Sequence, residues 1–230
     1  MPTRRFAGAL SIALVLLAAP GAARAQIALD RLIVELPPRA GATADVEVRN
    51  QGEETAYVVV EPAEIVAPGT PDERRREVTD PEALGLLATP SRLVLEPGAR
   101  RIVRLARLDA PAGAQRVWRV GVRPVNGETT ADTSALQILV GYGVLVLGRP
   151  ETPRAEVSAE RRGRALVLVN RGNADALLYG GRNCDAGGER CIELPTRRLY
   201  ADNRWRLELR WDTPAVFTVE GPDGVRERRF

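Results

Sequence analysis

The sequence predicts an all-β protein built from two sandwich domains. Two observations support this class. Short apolar stretches either alternate with polar residues or are rich in β-branched residues, and turn residues (Gly, Pro and Asn) separate them at short, regular intervals. Helix signals are few. About 200 residues remain after the N-terminal leader described below, which is enough for two domains of roughly 100 residues each.

The first half contains five predicted strands. Turn signals such as Asn50-Gln51-Gly52 and Pro97-Gly98 lie between them. The strands are predicted at residues 44–49, 56–60, 101–105, 117–122 and in the long apolar run 135–150. The charged run 72–77 between them is predicted to be a solvated surface loop.

The second half repeats this style after a proline-rich joint at Pro150 and Pro153. Strands are predicted at residues 165–170, 176–179, 204–211 and 215–220. The sequence VEVRNQG of the first half is echoed by LVLVNRG in the second. We therefore predict a leader at 1–25, a first domain at 26–149 and a smaller second domain at 150–230.

Residues 1–25 have the features of a secretory signal peptide. Arg4 and Arg5 precede an apolar segment, 9–19, that is too short to span a bilayer, and 23–25 (ARA) fits a cleavage site. No later apolar run is long enough for a membrane span. The sequence therefore predicts an exported, soluble protein with no membrane insertion after cleavage.

Charge and composition argue against several functions. The chain has 33 basic and 30 acidic residues, and removal of the leader with its three arginines balances them. A neutral chain gives no reason to expect nucleic acid as a partner. Histidine is absent, which excludes histidine-based catalysis and histidine metal ligands. No nucleophile motif or phosphate-binding glycine loop is present, so we predict no catalytic residue, no metal and no cofactor.

The two cysteines, Cys184 and Cys191, flank a glycine-rich turn. In an exported chain this pattern predicts a disulfide, and two cysteines alone offer too few ligands for zinc.

The run from Ala135 to Pro150 is the most informative segment. As a strand it would be apolar on both faces, although one face of a sandwich strand is normally polar. One apolar row is therefore available for a partner. The other explanation is that all of these side chains belong to the core, and the sequence does not decide which row faces which way.

Several segments in order resemble the periplasmic pilus-assembly chaperones of the chaperone–usher pathway. The resemblance covers the first predicted domain and is carried by Leu29-Asp30-Arg31, Ala56-Tyr57-Val58, Ala88-Thr89-Pro90, Leu95-Glu96-Pro97-Gly98 leading into 102–105, and 136–138 through Arg149-Pro150. It implies two immunoglobulin-like β-sandwich domains in an L-shaped arrangement with a cleft between them.

The resemblance also implies a function. Such chaperones lend a long strand to a pilus or surface-fibre subunit that lacks one, before an outer-membrane usher takes the subunit over, and they use no cofactor. Arg149 would help to fix the angle between the domains. The donor side chains would be Leu136, Ile138 and Val140, with Tyr142 extending the row.

Two positions depart from the family pattern. The resemblance places a basic anchor for the subunit's C-terminal carboxylate at Ile33 (or Val34, if the gap falls earlier) and another at Leu145, but these residues are apolar. A carboxylate still favours a charge-assisted donor, and the candidates are Arg31, Arg119 and Arg123.

Two other functions compete with the chaperone hypothesis. One is a stand-alone secreted structural or adhesive protein made of two β-sandwiches. A subunit of the fibre itself would be expected to have a free N-terminal donor segment, whereas a strand is predicted here almost at once, near 27–34. The other is an enzyme, which the absence of histidine and nucleophile motifs disfavours.

Overall fold

The computed structural model describes residues 26–110, 113–125 and 139–230, and these are almost entirely β-structure. The first half contains β1 (Ile27–Leu29), β2 (Ile33–Leu36), β3 (Thr43–Asn50), β4 (Ala56–Val66), β5 (Arg74–Arg76), α1 (Pro81–Leu84), β6 (Leu86–Thr89), β7 (Arg92–Leu95), β8 (Arg100–Arg107), β9 (Arg116–Val125) and β10 (Tyr142–Gly148). The second half contains β11 (Val157–Arg162), β12 (Ala165–Asn170), β13 (Ala176–Cys184), β14 (Cys191–Leu194), β15 (Arg197–Leu199), β16 (Arg204–Glu208), β17 (Ala215–Gly221) and β18 (Gly224–Arg229). None of the helices in these ranges is long and apolar enough to cross a membrane.

Two sheets enclose the core of the first half. One has the strand order β1-β3-β8-β6, and the other has the order β2-β10-β9-β4-β5, with β7 also paired to β4. Trp118 and Val146 are fully buried between them. The second sheet alternates regularly, so that even-numbered residues of β4, β9 and β10 face this core and odd-numbered residues face the opposite side, here called the outward face.

The second half has its own core. Its sheets have the orders β11-β12-β16 and β14-β13-β17-β18, with β15 paired to β13. Phe217 lies at its centre and meets Trp205 edge-on, with ring centroids 5.7 Å apart. The all-β prediction with two sandwich domains is therefore confirmed.

One buried asparagine closes a corner in each half. The Nδ2 of Asn50 donates to the carbonyl of Leu95 (2.8 Å), and the Nδ2 of Asn170 donates to that of Leu199 (3.0 Å). Each amide also donates to the carbonyl four residues ahead and accepts from the glycine N–H two residues ahead. The sequence echo noted above is therefore a repeated hydrogen-bonding motif.

Three local predictions need correction. The strand predicted near 27–34 is two strands in different sheets. Where the chain passes from one sheet to the other, the Asp30 carboxylate accepts the N–H of Glu47 (2.8 Å). Arg74–Arg76 in the charged run is not loop but a short exposed strand paired with β4. The strand predicted at 204–211 ends at Glu208.

In the part of the long apolar run that the structure describes, strand extends from Tyr142 to Gly148. Residues 139–141 have no strand pairing, and 135–138 lie outside the described residues. The predicted disulfide is formed: Cys184 and Cys191 pair directly across β13 and β14. The six-residue loop between them is closed by Asp185, whose side chain bonds to Arg190.

Candidate functional site

The candidate site is the outer edge of β10. On one side, β9 pairs with β10 along its whole length. On the other side, β2 pairs only with Leu145–Gly148, and its first contact is the Leu145 N–H to the carbonyl of Leu32 (2.8 Å). Within the described ranges, no strand covers Tyr142–Val144 on that side. An unpaired strand edge of this kind can accept an additional strand.

Exposed apolar side chains surround this edge. Leu32 and Ile33, where β2 begins, are both 49% exposed, and Val140, just before β10, is 44% exposed. Large apolar residues with this exposure flanking free backbone groups are typical of a protein-binding edge.

The predicted donor row is only partly described. Leu136 and Ile138 lie outside the described residues, and Val140 is exposed as the row requires. Tyr142 instead packs against the core of the first half, and its hydroxyl donates to the carbonyl of Ile27 (3.1 Å). We therefore remove Tyr142 from the proposed row.

The two apolar positions at which the family resemblance implies anchors lie together. Ile33 and Leu145 are direct partners in parallel strands, and both lie on the outward face. Val34 faces the core and is 4% exposed, so Ile33 is the residue at this site. Ile33 is half-exposed, whereas Leu145 is covered by Tyr200 from the second half, together with Ile65.

The three candidate arginines have different surroundings. Arg31 is paired with Asp30 (2.7 Å). Arg123 makes a bidentate contact with Glu61 (3.0 and 3.1 Å). Arg119 has no carboxylate partner among the described residues, and its Nη1 lies 3.4 Å from the carbonyl oxygen of Gly143.

Arg119 also lies beside the junction of the two halves. It is exposed on the outward face and is the direct cross-strand partner of Leu145. Burial raises the pKa of Tyr200, with smaller opposing contributions from nearby charges that include Arg119, so the phenol stays neutral. Because Arg119 is exposed and its Nη1 lies 3.4 Å from the carbonyl oxygen of Gly143, it provides a positive charge next to the open edge of β10.

Arg149 connects the two halves. Its guanidinium binds Glu35 of the first half and Asp175 of the second, and its Nη1 lies 2.8 Å from Oε1 of Gln115. Asp175 is 1% exposed and also binds Arg198. Burial lowers the pKa of Arg149, but its contacts with Glu35 and Asp175 outweigh this effect and raise the pKa overall. These contacts therefore stabilise the charged form of the guanidinium, which binds acids of both halves.

Sequence reasoning missed three residues of this region. Asp175 and Tyr200 lie in the second half, where the family resemblance is weak, and no local pattern marks them as junction residues. Leu32 could have been noticed, because it follows Asp30-Arg31 and breaks the alternation of a predicted strand.

Comparison with known proteins finds fimbrial proteins by sequence and fimbrial chaperones by structure. No family model matches the chain. A CFA/I fimbrial protein of Escherichia coli, named as a fimbrial subunit, is 26% identical over 94% of each chain. The crystal structure of the class 5 fimbriae chaperone CfaA superposes with a TM-score of 0.66 at 18% identity, covering 88% of this chain and 98% of that one. A chain from the Salmonella enterica SafA pilin in complex with the SafB chaperone gives a TM-score of 0.63 at 15% identity, with coverage of 90% and 97%.

The chain therefore has the two-domain β-sandwich fold of the chaperone–usher pilus chaperones. The resemblance noted for the first domain is therefore confirmed at the level of the fold. The structural likeness also covers the second domain.

Proposed function

We propose that this protein is a periplasmic chaperone that captures fimbrial subunits by lending them a β-strand and then releases them to an outer-membrane usher. It acts by binding and not by catalysis. The observation that carries the proposal is the open edge of β10, flanked by exposed Leu32, Ile33 and Val140, in a protein with the fold of pilus chaperones.

The geometry supports addition of a strand whose end lies at the domain junction. A partner strand on the open edge would continue the line of β2 and meet Leu32, where β2 begins. Its last paired residue would lie near Gly143, close to the guanidinium of Arg119. If that strand ends in a free carboxylate, Arg119 is the donor placed to bind it, and Arg31 and Arg123 are already paired with acids.

Apolar burial and backbone pairing supply the driving force for this capture. Backbone hydrogen bonds along the edge give affinity, and alternate side chains of the lent segment fill a groove in the bound protein. Val140 is the described member of that row, and Leu136 and Ile138 are its proposed continuation. Release occurs when a neighbouring subunit supplies a strand that fits better.

The first test is co-purification from the native host. Tagged protein is isolated from periplasmic extract as wild type and as Val140→Asp, Ile138→Asp and Val225→Asp. Val225 is the matched control, because it is apolar and 60% exposed but lies on β18 of the second half. We expect a stoichiometric small β-rich secreted protein with the wild type and Val225→Asp, and its loss from the other two.

Two results would contradict the proposal. Retention of the partner by Val140→Asp and Ile138→Asp would exclude this segment as the donor. Recovery of the wild type alone, from cells that are visibly making surface fibres, would favour a stand-alone structural or adhesive protein.

A further inference from the structure

The alternation of side chains in β10 is interrupted at Gly141. Tyr142, Val144 and Val146 all face the core of the first half. Val140 has the same parity and lies only two residues before Tyr142, yet it is 44% exposed. Residues two apart in a regular strand point to the same side. The chain therefore does not continue as a regular strand through Gly141.

Contacts at Gly141 show the same interruption. A methyl group on Gly141 would lie 2.8 Å from the Cβ of Arg123 and 3.4 Å from its Cα. The Cβ atoms of directly opposed residues in an antiparallel pair are normally about 4.5–5.5 Å apart. The backbone at Gly141 is thus turned toward β9 instead of standing in the ordinary pleat.

Gly121 provides the contrast within the same sheet. It is paired with Gly143 on the outward face, and a methyl group there would meet nothing nearer than the Glu61 carbonyl oxygen at 3.6 Å. That is an ordinary van der Waals distance. Gly143 and Gly148 of β10 are also approached closely, but by the outer side-chain atoms of Arg119 and Trp118, whereas Gly141 is approached by the Cβ and Cα atoms of Arg123.

The neighbouring strand explains why the ladder stops here. Pairing between β10 and β9 ends at Tyr142 with Val122, although β9 continues to Val125. A continued ladder would place Val140 opposite Pro124, which has no N–H to donate. Arg123 between them is paired with Val59 of β4 on its other side, so its backbone presents a firm surface to Gly141.

We propose that Gly141 is a positioning residue that rotates the chain, so that Val140 faces a partner while Tyr142, Val144 and Val146 fill the protein's own core. This proposal rests on the proposed function and explains a difficulty within it. Without the rotation, Val140 would have the parity of Tyr142 and would point inward. A side chain at 141 would force the backbone away from Arg123 and remove the rotation.

The test measures the rotation on the protein alone. Val140→Cys is prepared in three backgrounds: the wild type, Gly141→Ala, and the matched control Gly121→Ala. The rate at which a fluorescent maleimide labels the cysteine at position 140 is measured in each. The native cysteines are joined in the disulfide and do not compete. Val144→Cys, at a position 1% exposed, reports whether each background remains folded. We expect Gly141→Ala to slow labelling at 140 several-fold and Gly121→Ala to leave it unchanged, with 144 unreactive in both.

The second measurement links the rotation to binding. Gly141→Ala should lose the subunit recovered in the co-purification, and Gly121→Ala should keep it. If labelling at position 140 is unchanged in Gly141→Ala, the inference is wrong and the proposed function stands. If labelling is slowed but the subunit is still recovered, the inference is also wrong, because the rotation is then not needed for binding. If the wild type itself recovers no subunit, the proposed function fails and the positioning role fails with it, whereas the labelling rates still report the rotation.

Discussion

Ile33 and Leu145 lie side by side in two parallel strands, and both are apolar at the place where a carboxylate anchor is expected. The charge they lack is available one strand away, because Arg119 is the direct partner of Leu145 on β9. Arg119 thus offers a positive group on the neighbouring strand, 3.4 Å from the carbonyl oxygen of Gly143. This relationship leads to the first two predictions.

Replacing Arg119 should weaken capture of the subunit without unfolding the protein. A hydrogen bond to a charged group contributes about 1.5–3 kcal/mol, so Arg119→Gln should raise the Kd of the complex about 10- to 100-fold. Arg123→Gln is the matched control, because Arg123 is an exposed arginine on the same face that is already bound to Glu61. Titration calorimetry with the co-purifying subunit measures both variants. Equal effects of the two would show that Arg119 has no special role.

A basic residue at position 33 should compensate for the loss of Arg119. Ile33 is 49% exposed, so Ile33→Arg should be tolerated, and it would place a guanidinium beside the same strand edge. We expect the double variant Ile33→Arg with Arg119→Gln to recover much of the lost affinity. Leu145→Arg is the informative comparison, because Leu145 is covered by Tyr200 and the substitution should lower the melting temperature. Absence of any recovery in the double variant would argue against a carboxylate at this place.

Asp175→Asn should destabilise the junction of the two halves. The carboxylate is 1% exposed and balances both Arg149 and Arg198. Removing one partner of a buried ion pair leaves charge uncompensated and costs about 3 kcal/mol. Glu208→Gln is the control, since its pair with Arg164 is exposed and should contribute less than about 1 kcal/mol. Urea unfolding measures both changes, and equal small losses would show that the network is not a stabilising link.

The disulfide should affect stability and not binding. Its loop is short and lies in a hairpin of the second half, away from β10. In the chain-entropy model, replacing both Cys184 and Cys191 by Ser should lower the free energy of unfolding by roughly 2 kcal/mol. The Kd for the fimbrial partner, measured at a temperature where both forms are folded, should be unchanged. A weaker complex under those conditions would indicate an unexpected contact between this hairpin and the partner.

Stability should be nearly constant from pH 8 to about pH 5 and fall below about pH 4. The chain has no histidine to titrate in the upper interval. A hydrogen bond from Arg104 lowers the pKa of Asp45, and one from Arg190 lowers that of Asp185. A lowered pKa in the folded state stabilises the protein above the unfolded value of about 3.9, and this contribution is lost as the pH falls through the folded pKa. Urea unfolding at pH 7.5, 5.5 and about 3.5 checks this. A marked loss between pH 7.5 and 5.5 would contradict it.

Strands with a clear alternation were predictable from the sequence. The strand 165–170 was predicted with its observed bounds, because its alternate leucines face the core of the second half. The prediction of one continuous strand through the long run was wrong, because pairing of β10 with β9 ends at Tyr142 and depends on which residues of that distant strand lie opposite. Local alternation does not contain that information.

The choice among the three arginines was likewise beyond local sequence. Arg31 neighbours its acid in the chain, but the acid that occupies Arg123 lies 62 residues away. Only the pairing of β4 with β9 brings Glu61 and Arg123 together and leaves Arg119 without an acid among the described residues. The apolar character of positions 33 and 145 was visible in the sequence, and their adjacency was not.

The buried asparagine that closes a corner in each half gives both halves the same hydrogen-bonded brace. The same amide satisfies equivalent main-chain groups around Asn50 and Asn170, and each set of bonds stays within its own half. Each corner is therefore held by its own half, independently of the ion pairs that join the two halves at Arg149.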